Sequence, residues 1–107
     1  MCGIAGILTT DGASVREQDI KTITDALSHR GRDSSAYFIG GSTENSMSNY
    51  PGIALGHRRL SIIDLSPQAS QPMRSKNSKT SIVYNGELYN FRELRNELIN
   101  KGYKFKT

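Results

Sequence analysis

Residues 1–8 of the chain read MCGIAGIL, and this stretch decides how the rest of the sequence is interpreted. The apolar residues 3–8 are typical of a buried strand, and a turn at residues 10–12 (TDG) ends it. The stretch lacks the basic segment and the long apolar segment of a signal peptide. Cys2, the only cysteine of the chain, directly precedes the strand. The sequence therefore places one thiol at the start of its first predicted strand.

Composition excludes several classes of protein. The 107 residues include 14 Lys and Arg against 10 Asp and Glu, and this net charge of +4 is too small and too scattered to indicate a nucleic-acid partner. A single cysteine excludes an internal disulfide, and one cysteine with two histidines does not fit a closed zinc site. No window approaches the roughly 20 apolar residues of a membrane span. We therefore predict a cytoplasmic globular protein with no metal site, no nucleic-acid partner and no membrane contact.

Hydrophobic spacing predicts a helix and two further β regions in the first two thirds of the chain. The helix covers about 15–28 and begins with a capping-box pattern formed by Ser14 and Glu17. A strand is predicted at about 35–39, and a second β region at 53–63. The remaining segments are predicted to be loops, at residues 40–52 and 64–79.

The last third of the chain predicts a hairpin, a helix and a strand. Residues 81–89 (SIVYNGELY) predict a β-hairpin, because Asn-Gly between apolar runs is a strong turn signal. A helix is expected to begin near Asn90 and to end at Gly102. Residues 103–107 alternate like a new strand, and a final strand of about five residues is typical of a chain cut short within a domain.

The chemistry available at position 2 follows from the α-amino group. Removal of the initiator Met leaves Cys2 with both a thiol and a free α-amine. The pKa of an α-amine is about 7.7–8.0, against about 10.4 for a lysine amine, so much more of it is the free base at pH 7. The α-amine can therefore act as the general base for the neighbouring thiol. The alternative is that Cys2 only fills a small apolar gap.

Other residues offer what acyl transfer from an amide requires. The side-chain amide of Asn85 and the main-chain N–H of Gly86 can donate to one oxyanion, although Asn-Gly is also an ordinary type I′ turn. Arg59 can bind a substrate carboxylate and Glu87 a substrate ammonium, so together they suit an α-amino acid. Ordinary ion pairing is the alternative for both. Two further candidate bases are interpreted as structural, His29 and His57.

The motifs that contain these residues resemble one family. Residues 1–6 (MCGIAG) are similar to the opening of class II glutamine amidotransferases, whose first mature residue is a catalytic Cys. Residues 27–33 (LSHRGRD) resemble the second motif of that family. Three further stretches resemble glutamine-hydrolysing asparagine synthetases in particular, namely 55–64 (LGHRRLSIID), 71–73 (QPM) and 84–94 (YNGELYNFREL). The resemblance extends over the whole chain.

This resemblance implies a reaction and a set of site residues. Cys2 would attack the side-chain amide of glutamine, form a γ-glutamyl thioester and release ammonia for an amidation, that of aspartate to asparagine. Asn85 and Gly86 would form the oxyanion hole. Glutamine itself would be bound through its carboxylate and its amino group by a set of neighbouring residues, Arg59, Leu60, Ser61, Ile62, Ile63 and Glu87.

The resemblance also implies a fold and a domain organisation. The fold class is α+β, a four-layer αββα sandwich of the N-terminal nucleophile hydrolase type, with residues 1–107 forming the first part of a truncated type 2 glutamine amidotransferase domain. A synthetase domain that uses ATP and Mg²⁺ would be absent from this sequence, and residues 1–107 would need no cofactor. Glutamine is the expected small-molecule partner, the full-length protein would be a candidate homodimer, and the fragment alone is expected to be inactive.

Two alternatives stay open at this point. One is a non-catalytic fragment, and the other is an amidotransferase that acts on a different acceptor, a sugar or a peptide. The sequence also departs from the family pattern at Arg32, where Pro is usual, and at Ser34 or Ser35, where an aromatic residue is usual. These departures bear on the rigidity of the loop over the glutamine pocket.

Overall fold

Three strands form an antiparallel sheet around one central strand. The computed structural model describes residues 2–41, 52–60 and 66–106. Strands β1 (Gly3–Leu8) and β2 (Ser34–Gly41) each pair with β3 (Gly52–Arg59), which gives the order β1-β3-β2. The strands predicted at 3–8 and 35–39 are confirmed. The β region predicted at 53–63 is confirmed as far as residue 59, and residues 61–63 lie outside the described residues.

One face of this sheet is covered by helix α1 (Glu17–Ala26), and we call it the helix face. Its core consists of Val15, Ile20 and Ala54, with partly buried apolar side chains from β1 and β2 packed around it. The helix approaches β3 so closely that a Cβ at residue 56 would lie 2.0 Å from Oγ1 of Thr24. Only glycine fits there, so Gly56 sets how near the helix lies to the sheet.

The opposite face of the sheet we call the open face. Paired residues on neighbouring antiparallel strands share a face, and the register aligns both Ile4 of β1 and Ala36 of β2 with His57. Ile4, Leu8 and Ile53 are exposed, although the alternation of the strands points them to the same side as His57. A short hairpin of β4 (Met73–Arg74) and β5 (Ser81–Ile82) reaches this face, where the Arg74 guanidinium lies 4.7 Å from the ring centroid of Phe38. The open face thus combines exposed apolar residues with polar residues of β3.

The predicted start of the first helix is wrong. Arg16, not Ser14, occupies the N-cap position, and it makes no side-chain capping bond. Its guanidinium instead forms an ion pair with Asp19 at 3.0 Å, one turn into the helix. A capping box needs its first residue at the N-cap itself, so a start two residues later removes the bond between Ser14 and Glu17.

The predicted hairpin at residues 81–89 is also wrong. β5 pairs with β4, which precedes it in the chain, and the predicted loop at 64–79 contains β4 and a short 3-10 helix at Pro67–Ala69. A type I′ turn needs a positive φ at both central residues. Neither Asn85 nor Gly86 has one. Asn85 and Gly86 therefore do not form the type I′ turn that an Asn-Gly pair between two strands usually forms.

The second helix, α2 (Phe91–Asn100), confirms the prediction for residues 90–102. Gly102 has φ +93°, and Tyr103 N–H donates to the Leu98 carbonyl at 3.0 Å while Gly102 N–H donates to that of Ile99. These two bonds define a Schellman motif. No strand follows at 103–106, which corrects the prediction for 103–107, and Thr107 lies outside the described residues.

The described elements give an α+β fold, as predicted. The four-layer sandwich is a finer expectation that one sheet and one small hairpin do not establish. Neither helix in residues 2–41, 52–60 and 66–106 is long and apolar enough to cross a membrane.

Candidate active site

The thiol of Cys2 lies beside the end of the central strand. Leu60 N–H donates to Sγ of Cys2 at 3.3 Å, and the thiol lies 3.7 Å from the Leu60 carbonyl oxygen. The register explains this contact, because Gly3 pairs with Arg58 and the preceding residue of β1 therefore lies opposite the end of β3. The sheet thus brings the predicted nucleophile next to Arg59 and Leu60, 57 and 58 positions later in the sequence.

The main chain of Cys2 is held by a residue that sequence reasoning missed. Nε of Arg30 donates to the Cys2 carbonyl at 3.3 Å. The next residue, Gly31, is buried so closely against β3 that a Cβ would lie 2.5 Å from the carbonyl carbon and oxygen of Arg58. Nε of Arg58 returns a bond to the Gly31 carbonyl at 2.9 Å. Arg30 and Gly31 lie in the motif at residues 27–33, but sequence analysis assigns no role to either residue.

Arg59 is a buried cation at the end of β3. It is 8% exposed, and its Nη1 donates to the Ser66 carbonyl at 2.8 Å. Its own carbonyl accepts from Asp33 N–H at 3.0 Å. A guanidinium carries five N–H donors and stays charged, and within the described residues the bond to Ser66 uses one of these donors. Two-residue alternation places this side chain on the open face with His57.

The segment with the predicted oxyanion donors is exposed. Asn85, Gly86 and Glu87 are all exposed, and within the described residues none of them forms a hydrogen bond or an ion pair. The segment is fixed just before them, where Tyr84 N–H donates to Oε1 of Gln71 at 2.6 Å. The roles predicted for Arg59 and Glu87, at the two ends of one α-amino acid, stay predictions. Three further predicted residues, Ser61, Ile62 and Ile63, lie outside the described residues.

His57 is the most deeply buried polar side chain on the open face, at 1% exposed. Burial lowers the pKa of its imidazole, the main chain of Tyr84 partly opposes that shift, and the charge of Arg59 adds to it. Neither ring nitrogen has a hydrogen-bond partner among the described residues. The second candidate base, His29, is exposed in the turn after α1.

The arrangement joins a partly exposed thiol, a buried guanidinium and a main-chain amide at one end of the sheet. A thiol can act as a nucleophile, and a buried guanidinium can bind a carboxylate through two parallel hydrogen bonds, a bidentate contact. In the described part of the chain no three His, Cys, Asp or Glu side chains are grouped as a metal site requires.

The chain matches a known family model and several curated proteins. The model described as a glutamine amidotransferase domain matches residues 1–107. Asparagine synthetase [glutamine-hydrolyzing] 1 of Bacillus subtilis is 36% identical over 110 residues, which cover 100% of this chain and 16% of that protein. Putative asparagine synthetase [glutamine-hydrolyzing] 2 of Methanocaldococcus jannaschii is 38% identical over 109 residues, or 89% of this chain and 20% of that protein.

A third relative carries a different name. An amidase of Gibberella zeae is 32% identical over 115 residues, which cover 98% of this chain and 16% of that protein. The chain spans only 16–20% of the length of these three relatives. No solved structure is significantly similar to it. The match over residues 1–107 confirms the predicted resemblance, and the chain belongs to the glutamine amidotransferase domain family.

Proposed function

We propose that this chain carries the glutamine-hydrolysing machinery of an amidotransferase, with Cys2 as the nucleophile. The observation that carries the proposal is the thiol of Cys2 in contact with the main chain of Leu60, the residue that follows the buried Arg59, in a chain of this family. Glutamine is an α-amino acid with a side-chain amide, so a cation for its carboxylate and a nucleophile for its amide are the two groups it needs. Both lie at the same end of the sheet.

The reaction proceeds in two balanced steps. The Cys2 sulfur bonds to the amide carbon of glutamine, and the thiol proton passes through the α-amine to the leaving nitrogen as the C–N bond breaks. Ammonia leaves and a γ-glutamyl thioester remains. Water then attacks the thioester carbon, which releases glutamate and returns the proton to the sulfur. Asn85 and Gly86 donate to the oxyanion that forms in each step.

The remaining site residues bind the α-amino acid end of glutamine. Arg59 binds the carboxylate through donors that its bond to Ser66 leaves available. Glu87 binds the ammonium group, and Leu60, Ser61, Ile62 and Ile63 complete the set of glutamine-binding residues in this proposal. Asn85 and Glu87 are both exposed, and this accessibility to a ligand supports these roles.

The acceptor of the ammonia is aspartate in this proposal, and asparagine is the product. The support is that relatives aligned with 89–100% of this chain are named glutamine-hydrolysing asparagine synthetases. A synthetase domain on the same protein would use ATP and Mg²⁺ for that step, and the residues described here would not bind them. A second candidate keeps the glutaminase step and changes the acceptor, and the amidase of Gibberella zeae favours it.

Substitution of Cys2 tests the glutaminase assignment. In the protein as its gene encodes it, Cys2→Ala should lower ammonia release from glutamine by at least about 10³-fold, because no other group can form the thioester. The melting temperature should stay within about 2 °C of the wild type. Mass spectrometry should find the N-terminal Met removed.

Three outcomes contradict the proposal. Cys2→Ala that retains ammonia release removes Cys2 from the reaction. A retained N-terminal Met removes the α-amine as the base. A wild-type protein that folds and releases no ammonia supports the remaining alternative, a non-catalytic chain. The nature of the acceptor is read separately, by supplying aspartate, sugars or peptides with ATP and identifying which is amidated.

A further inference from the structure

Gln71 is a half-buried polar side chain that has no role in the proposed reaction. Its Oε1 accepts a hydrogen bond from Tyr84 N–H at 2.6 Å, across 13 positions of sequence. Asn85 and Gly86, the proposed oxyanion donors, follow Tyr84 directly. The bond therefore holds the main chain one residue before the donors.

The register of the β4–β5 hairpin places Gln71 opposite Tyr84. Met73 pairs with Ile82, so the same antiparallel register continued by two residues aligns Gln71 with Tyr84. The paired strands themselves end at Met73 and Ile82. A bond between residues 71 and 84 therefore extends the hairpin by two residues toward the donors.

The side chain of Gln71 takes the place of a main-chain acceptor. In an antiparallel pair, every second pair of opposed residues exchanges main-chain hydrogen bonds. Ser75 N–H donates to the Thr80 carbonyl at 2.9 Å, so the same register gives bonded positions at residues 73 and 82 and then at 71 and 84. At this last position Tyr84 N–H donates to Oε1 of Gln71. The extension therefore depends on the residue type at position 71, which a bond between main-chain groups would not.

We call residues 83–87 the donor segment, and it is held on both sides. The β4–β5 pairing holds the chain before it, and Phe91 N–H donates to the Leu88 carbonyl at 3.1 Å after it. Within the segment, the ring of Tyr84 lies against Gly86, because a Cβ at residue 86 would lie 2.8 Å from Oη of Tyr84. The bond to Gln71 thus acts on the residue whose ring contacts one proposed donor and whose main chain leads into both.

We propose that Gln71 is a positioning residue for the glutaminase reaction: its side-chain oxygen fixes Tyr84 N–H and thereby aligns Asn85 and Gly86 with the oxyanion. This inference rests on the proposed function. Oxyanion donors act only where the charge develops, and a misplacement of about 1 Å costs about 10²-fold in rate. In this role Gln71 contacts neither glutamine nor the thiol of Cys2, and it acts through Tyr84.

The test compares three variants of the protein as its gene encodes it. Gln71→Met removes the acceptor from a side chain of similar length, and Gln71→Glu keeps an acceptor oxygen at the same place. Gln68→Met is the matched control, because Gln68 is exposed in the 3-10 helix three residues earlier. We expect Gln71→Met to lower kcat for glutamine hydrolysis by about 10- to 100-fold with KM changed less than about threefold, since the donors act in the transition state. Gln71→Glu should keep kcat within about fivefold of the wild type, and Gln68→Met within twofold.

Two further measurements separate positioning from a general loss of structure. Hydrogen exchange of a peptide that spans the donor segment should be faster in Gln71→Met than in Gln71→Glu, while exchange in α1 stays unchanged. Iodoacetamide needs the thiol of Cys2 but no oxyanion donor, so its rate of alkylation should stay within about twofold in every variant. A fall in alkylation parallel to the fall in kcat overturns the inference. If Gln71→Met does not fold, Gln71→Asn takes its place, because its amide is one methylene too short to reach Tyr84 N–H.

The remaining outcomes are distinct for the two proposals. An active wild type with Gln71→Met within twofold of it in kcat overturns this inference alone. Equal losses of kcat in Gln71→Met and Gln71→Glu also overturn it, since the acceptor oxygen would then have no part in the effect. A folded wild type that releases no ammonia overturns the proposed function and this inference together.

Discussion

The two faces of the three-stranded sheet differ in what they bury. On the helix face, Ile20 and Ala54 are fully buried, and the helix is tied down by apolar contact and by the fit of Gly56 against Thr24. On the open face the buried groups are His57 and Arg59, while Ile4 and Leu8 are 49% and 61% exposed. One side of the same strands therefore provides stability, and the other holds polar groups at a folding cost. Substitutions on the two faces should act on different measurements.

The largest effect is expected from the core of the helix face. Ile20→Ala should lower the free energy of unfolding by about 2–5 kcal/mol, because it removes buried methyl groups and leaves a cavity. Urea unfolding of the protein as its gene encodes it would measure this. Ile23→Ala on the same helix is the matched control, since Ile23 is 42% exposed, and it should cost less than about 1 kcal/mol. Equal losses in the two variants would break the comparison.

In the exposed segment after β5, Asn85→Ala should act on turnover and not on stability. Loss of one oxyanion donor costs about 10²–10³-fold in kcat, while the exposed side chain should contribute little to unfolding free energy. Steady-state ammonia release gives kcat. Asn90→Ala is the control, because Asn90 makes no side-chain bond at the N-cap of α2. A loss below tenfold for Asn85→Ala would make it an ordinary surface residue.

The adjacent arginines of β3 give the sharpest version of the comparison. Arg59→Ala should raise KM for glutamine about 10- to 100-fold, because a charge-assisted hydrogen bond contributes about 1.5–3 kcal/mol. Arg58 points to the helix face, where it contacts Gly31 and lies 3.9 Å from Asp25. Arg58→Ala should therefore lower the melting temperature with little change in KM. A raised KM for Arg58→Ala together with an unchanged KM for Arg59→Ala would contradict this prediction and would place the carboxylate site on the helix face.

The smallest effect is expected from pH. Burial lowers the pKa of His57 below its ordinary value of 6.5, so the unfolded chain binds a proton at a pH where the folded chain does not. The free energy of unfolding should fall as pH falls below about 6.5, by at most about 1.4 kcal/mol per pH unit. Above that pH His57 contributes no dependence. Urea unfolding at pH 5 to 7 should show that the free energy of unfolding changes less with pH in His57→Leu than in the wild type. An equal pH dependence in the two proteins would contradict the burial of His57 as its cause.

Elements with a clear hydrophobic period could be predicted from the sequence, whereas pairing could not. The apolar runs of β1 and β3 and the spacing of α1 and α2 depend on neighbouring residues, and all four elements are present. The prediction of a hairpin at Asn85-Gly86 was wrong because β5 pairs with β4 across a turn at 75–80. Which strand β5 pairs with depends on residues outside the predicted hairpin. The strand predicted at 103–107 was wrong at 103–106 for a related reason. An alternating pattern is compatible with a strand, but it does not identify the neighbouring strand that a sheet requires.

In the candidate site, the sequence could single out Cys2, because its position and the family resemblance both point to it. Its role stays a prediction, and the structure shows its thiol in contact with Leu60 N–H. Arg30 and Gln71 were missed because they act on main-chain atoms, Arg30 on the Cys2 carbonyl and Gln71 on Tyr84 N–H. Any residue can offer a main-chain carbonyl or N–H, so the residue types in the sequence do not indicate such a bond, and only the structure shows it.

The hydrogen bond from Arg30 to the Cys2 carbonyl holds the main chain of Cys2 and leaves its side chain able to rotate. The main chain is anchored by Arg30 on one side and by the β1–β3 ladder on the other, so χ1 of Cys2 is the coordinate left free. Side-chain rotation of a partly exposed residue takes picoseconds to nanoseconds. In the proposed reaction, the sulfur can therefore leave the Leu60 amide, reach the amide carbon of glutamine and return by side-chain rotation alone, while the backbone stays in place.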